Sequence, residues 1–221
     1  MSLTTLKNKF NSLLLALNGS SSTKFSNTVE AGYEALTLVT VMNEYKRIYG
    51  PVKNLIHPTN NKFLNQSPGR FRIDRSFKVD FVSGDSFYFA ADIEVFGLEA
   101  YNQHIPVGVL FEADVVVIPE SMENDVINNF NGYPAPQHIH SAFECKFGKY
   151  HKSQLRELLG LKRHLCYIGR QKRTPRTKSL FGTQIVKSRP SIALKMVRPR
   201  RLKFLDRPTA SLYDLQQIIV N

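Results

Sequence analysis

The stretch LFEADVVVI, Leu110–Ile118, decides how the rest of the chain is read. It closes on four consecutive β-branched residues and predicts a buried strand running from about Val107 to Ile118. Alternate side chains of a strand share a face. Phe111, Ala113, Val115 and Val117 are therefore expected on one face, and Glu112 and Asp114 on the other. An ionised carboxylate buried without a partner costs several kcal/mol, so a positive group is expected nearby.

The stretch SAFECKF, Ser141–Phe147, offers that group. Read as a strand over 140–147, it turns Phe143, Cys145 and Phe147 one way and Ala142, Glu144 and Lys146 the other. If the two strands pair, Asp114, Glu144 and Lys146 converge. Asp114, Glu144 and the backbone carbonyl of Cys145 then make an oxygen donor set suited to Mg²⁺ or Mn²⁺. Lys146 beside such an ion would orient or deprotonate a water, as phosphodiester hydrolysis requires. The competing reading is a structural salt bridge on a sheet face. A second Glu-x-Lys, Glu44-Tyr45-Lys46, falls in a predicted helix, where residues two apart face different ways.

Working outward, residues 1–18 predict a short amphipathic helix, with Leu6, Phe10, Leu13, Leu14 and Leu17 on one stripe. The polar run from Asn18 to Thr23 predicts a flexible break. A second helix is expected from Asn27 to Tyr49, capped by Asn27 or Thr28 and ended by Gly50-Pro51. Residues 51–85 have no clear pattern. A strand is expected at Phe87–Phe96, and Pro119–Gln137 reads as a surface insertion. A helix follows at His151–Tyr167, then a basic loop over 169–190 around a short strand, Thr183–Val186. Ser191–Val197 reads as a further strand, and Leu212–Val220 as a helix or an edge strand. The expected organisation is a helix and link over 1–26, then one α/β domain over 27–221 with a basic C-terminal third.

Asp114 before its apolar run, followed by Glu144-Cys145-Lys146 between two phenylalanines, resembles the motif of the PD-(D/E)XK, or restriction-endonuclease-like, nucleases. The order helix, three strands, helix, strand over residues 27–197 is similar to that family's layout. The resemblance implies a mixed central sheet flanked by helices and a Mg²⁺- or Mn²⁺-dependent nuclease acting on DNA, with RNA left open as the alternative substrate. It assigns Asp114 and Glu144 to the metal and Lys146 to the water. A glutamate from the helix completes the set, with Glu34 first and Glu30, one turn earlier, second. Glu112 and Gln154 are supporting candidates. Ala113 stands where the family has proline, and Leu158 where a tyrosine often accompanies the glutamine. The implied role is an endonuclease of restriction or anti-phage defence, in a homo-oligomer or nucleoprotein complex. The alternative is a fold of this type that grips nucleic acid without cutting it, or a structural subunit of a larger complex.

Charge points to the same partner. The net charge of +12 is gathered between Lys146 and Arg207, where 19 Lys/Arg face two acids; the rest of the chain has 11 basic and 16 acidic residues. Such asymmetry predicts a polyanionic partner. Lys149, Lys152, Arg156, Arg170, Lys172, Arg173 and Arg176 are the expected phosphate track. His138, His140, Cys145 and His151 suggest zinc, but lack the spacing of a zinc site. Two cysteines make no disulfide framework, and MSLTTLKNKF has no secretory pattern, so a cytoplasmic chain without membrane spans is expected.

Overall fold

Two helices precede the sheet, and their limits follow from their caps. In α1, Leu3–Leu15, the Ser2 hydroxyl accepts the Thr5 backbone N–H at 3.2 Å. In α2, Val29–Tyr49, Thr28 does the same for Ala31 at 3.2 Å, and Gly50 ends the helix in the left-handed region at φ +89°. Such caps satisfy backbone N–H groups that the helix leaves unbonded. Leu6, Phe10 and Leu14 form the stripe that buries α1 against α2. The Asn43 amide and the Lys46 ammonium of α2 donate to the Leu13 and Ala16 carbonyls at the end of α1. In α2, buried residues run from Ala35 through Leu36, Leu38, Val39, Val41 and Met42 to Tyr45, on more than one side of the helix. That suits a helix enclosed between α1 and a sheet.

The computed structural model describes residues 2–17, 28–59, 69–147, 180–186 and 215–217, with backbone alone for 29, 30, 33, 144–147 and the last two segments. Its sheet has seven strands in chain order: β1 (Val52–Ile56), β2 (Phe77–Phe81), β3 (Ser86–Phe96), β4 (Leu110–Pro119), β5 (Ser141–Phe147), β6 (Leu180–Val186) and β7 (Leu215–Gln217). β1 to β5 pair antiparallel, while β5, β6 and β7 pair in parallel. The chain is thus mixed α/β. A short helix, α3 (Leu98–Gln103), joins β3 to β4.

Several expectations need correction. Residues 51–85 contain β1 and β2, which extend the sheet; β2 alternates buried apolar and half-buried polar side chains, while β1 is mostly exposed and its pairing is bulged between Val52 and Asn54. The segment 119–137 is more than a surface excursion, because Val126, Phe130 and Ala135 are buried. His138, buried just after it, accepts the Ala135 N–H at Nδ1 (2.9 Å) and meets Asp125 through Nε2 at 2.6 Å, which pins the segment to itself. The strand expected at Thr183–Val186 starts at Leu180, and the tail alternative resolves to a strand at Leu215–Gln217. The helix at 151–167 and the strand at 191–197 lie outside the described residues.

The predicted face of β4 also fails at one point. Val115 and Val117 join Phe143 in the apolar cluster beneath the helices. Ala113 and Phe111 instead join Ile93, Val95, Val116 and Ile118 in a second cluster. The change of side coincides with Asp92, which faces Asp114 across the ladder and has φ +53°. A left-handed residue inside a strand interrupts the pleat, so alternation cannot be carried across it.

The helix layer is fixed to the sheet by a buried polar knot. The Tyr45 hydroxyl lies 2.5 Å from both Ser141 Oγ and His140 Nδ1, and the Tyr49 hydroxyl lies 3.1 Å from His140 Nε2. Phe87 and Phe89 pack edge-on against Tyr45. This knot locks α2 across β3 and β5, and with it the helical turn that carries Glu34.

Candidate metal centre

Asp92 is the residue around which the site is built. The β3–β4 ladder pairs Ala91 with Val115 and Ile93 with Ala113, leaving Asp92 and Asp114 opposite each other between them. Carboxylate oxygens of Asp92, Glu112 and Asp114 all lie within 4.8 Å of one another. Asp92 and Asp114 are drawn in from the surface, and Glu112 is exposed. This group can hold a metal ion: hard divalent cations take carboxylate oxygens.

The electrostatics describe a deficit of positive charge. Burial first, and then the charges of Glu34, Asp114 and Glu112, push the Asp92 carboxyl up to about 8. Among the described residues, every charged neighbour that perturbs it is negative. Like charges this close disfavour joint ionisation, so the cluster is stabilised by a proton or by a cation. The left-handed backbone adds strain, on the order of 1–3 kcal/mol for such a residue, held in place by the ladder on either side.

Of the residues expected from sequence, Glu112 and Asp114 are brought together, and Glu34 lies close enough for its charge to act on Asp92. Glu144 and Lys146 lie on β5, paired with Thr183 and Ile185 of β6. The β4–β5 ladder pairs Val117 with Ser141, Val116 with Ala142 and Val115 with Phe143. The ladder ends at that last pair, with Asp114 and Glu144 each one residue beyond it on its own strand. Asp92 and Asp114 therefore stand opposite each other on β3 and β4, and Glu144 stands just past the end of the β4–β5 pairing. Glu30 has no described side chain. Gln154, Lys149, Lys152, Arg156, Arg170, Lys172, Arg173 and Arg176 lie outside the described residues, as does His151.

Two alternatives raised by the sequence are answered by hydrogen bonding. His138 and His140 each engage both ring nitrogens with protein partners, so neither presents a lone pair to zinc without giving up a bond. Glu44 and Lys46 lie in α2, where Glu44 pairs with Arg47 at 3.0 Å and Lys46 binds the Ala16 carbonyl.

Asp92 was missed by sequence reasoning, although its signal was present. It stands after Phe87-Tyr88-Phe89-Ala90-Ala91, a carboxylate inside an apolar strand just as Asp114 is. No protein family, curated protein or solved structure matches this chain. Among the described residues, no helix is long and apolar enough to cross a membrane.

Proposed function

We propose that the chain is a divalent-metal-dependent nuclease of the PD-(D/E)XK type, hydrolysing phosphodiester bonds of DNA. The observation that carries this reading is the acidic cluster of Asp92, Glu112 and Asp114 on β3 and β4, with Glu144 of β5 just past the end of the β4–β5 pairing. A resident Mg²⁺ or Mn²⁺ supplies charge to the scissile phosphate and lowers the pKa of a bound water. The chain's own residues do the rest. Asp92, Asp114 and Glu144 hold the ion, and Glu34 adds negative charge from α2. Lys146, two positions beyond Glu144, orients the water or takes its proton. The antiparallel run β3–β4–β5, preceded by α2 and followed by a strand parallel to β5, supports the same layout. Restriction or anti-phage defence is the role we attach to it.

Nicking of supercoiled plasmid tests the proposal. The wild-type chain is expected to nick with Mg²⁺ or Mn²⁺ and to stop with EDTA, while Lys146→Ala and Asp114→Asn lose at least about a hundredfold, the typical weight of an acid–base or electrostatic group. A wild type that binds DNA and metal but never cuts would make this a nucleic-acid-gripping module.

A further inference from the structure

A second feature adjoins the acidic cluster and is chemically its opposite. Beyond the end of β2, the edge of β3 borders a cavity of about 300 Å³ lined by Arg70, Arg72, Arg75, Ser76, Asp92 and Tyr133, among others. It is a constructed feature. Gly69 bridges Ile93 of β3, and the Phe71 N–H donates to the Gly132 carbonyl at 2.7 Å. Gly132 has φ +81°, and a Cβ there would stand 3.1 Å from both the Arg70 Cβ and the Phe71 carbonyl oxygen. The close approach that brings three arginines to one wall therefore depends on glycine.

The arginines differ in availability. Arg70 lies over the Tyr133 ring, 5.2 Å from its centroid, forming a flat cationic and aromatic surface. Arg72 forms a two-point ion pair with Asp74 at 2.8–2.9 Å, but both side chains are about half exposed. Exposed pairs of this kind are weak, and a phosphate, with the same bidentate geometry, can replace the carboxylate. Three guanidinium groups beside a carboxylate cluster suit a ligand that carries phosphate past a metal-holding site. The volume suits one nucleotide unit.

We infer that this cavity is a nucleotide subsite for a strand of nucleic acid. Arg72 and Arg75 take a backbone phosphate, and the stacked Arg70–Tyr133 pair takes the adjoining base. The inference rests on the nuclease reading for its substrate and extends it by giving the strand a path past the Gly69–Ile93 bridge that borders β3. Bases stack on aromatic and guanidinium planes without regard to sequence, so the contact positions a strand and does not specify one.

The test is fluorescence anisotropy of a short labelled oligothymidine on the full chain in EDTA, where no cleavage intrudes. Arg72→Ala with Arg75→Ala is expected to weaken binding at least about tenfold and to lower the slope of log affinity against log salt by about 1.4, the share of two phosphate contacts on a single strand. Tyr133→Ala should lose about fivefold or more, and Tyr133→Phe should bind as wild type. Asp74→Asn, which frees Arg72 on the surface, should bind more tightly, and that gain cannot come from misfolding. Unchanged affinity and salt slope in the arginine variant, or no gain in Asp74→Asn, overturns the subsite. Competition by millimolar inorganic phosphate as effective as that by oligonucleotide would reduce it to a small-anion site and overturn the nucleotide assignment. Metal-dependent cleavage with unaltered binding in these variants removes the subsite alone; binding through these residues with no cleavage removes the nuclease reading alone.

Discussion

The pH dependence of metal binding follows from one carboxyl group. Asp92 keeps its proton to about pH 8 because burial and three carboxylates oppose its ionisation. An ion that uses Asp92 must displace that proton, and below the pKa each pH unit costs about 1.4 kcal/mol, a factor of ten. The fraction of ionised Asp92 rises from about one in a hundred at pH 6 to about one half at pH 8, so Mn²⁺ affinity is expected to rise about fiftyfold over that interval. Calorimetric titration with Mn²⁺ at pH 6, 7 and 8 measures this. Repeated at pH 7 in buffers of different ionisation enthalpy, it should show about 0.9 proton released per ion, the fraction of Asp92 protonated there. Asp92→Asn should bind more weakly and lose most of the pH dependence. Wild-type affinity that varies by less than about threefold from pH 6 to pH 8, or an equal slope in Asp92→Asn, would refute the assignment of that proton to Asp92.

Two further predictions concern stability. Asp92 has a folded pKa raised above its unfolded value of about 3.9, so its contribution is complete below that value and is lost as pH rises toward about 8. Urea unfolding in EDTA should therefore show stability falling from about pH 5 to pH 8, by at most about 1.4 kcal/mol per unit, with a flatter profile in Asp92→Asn. His138→Ala removes the acceptor of the buried Ala135 N–H and the partner of Asp125, and should cost about 2–4 kcal/mol by urea titration, the sum of a cavity and an unsatisfied donor.

What the sequence disclosed about the fold was strongest where pattern and burial coincide. The cap at Thr28, the stripe of α1 and the runs of β3, β4 and β5 were legible because each is set by local chemistry. β1 and β2 were not, because each has five residues and is buried only through pairing in the sheet, β2 on β3 and β1 on β2. Asp114 and Glu112 were legible from polarity inside an apolar run. Asp92 could be seen by the same criterion, but its importance depends on register, which puts it opposite Asp114, and no local signal records that. The arginines at 70, 72 and 75 were hidden by a charge count that pointed to the C-terminal third. The break in alternation at Asp114 has its origin in the backbone of another strand, so no reading of β4 alone could have found it.

The most direct measurement is a crystal of the protein soaked in Mn²⁺, with anomalous scattering used to locate the metal. The account predicts one ion at the Asp92–Glu112–Asp114 cluster, with oxygens of Asp92, Asp114 and Glu144 within about 2.2 Å. Density for Glu144 turned to the opposite side of the sheet, with no manganese among the carboxylates, would contradict it.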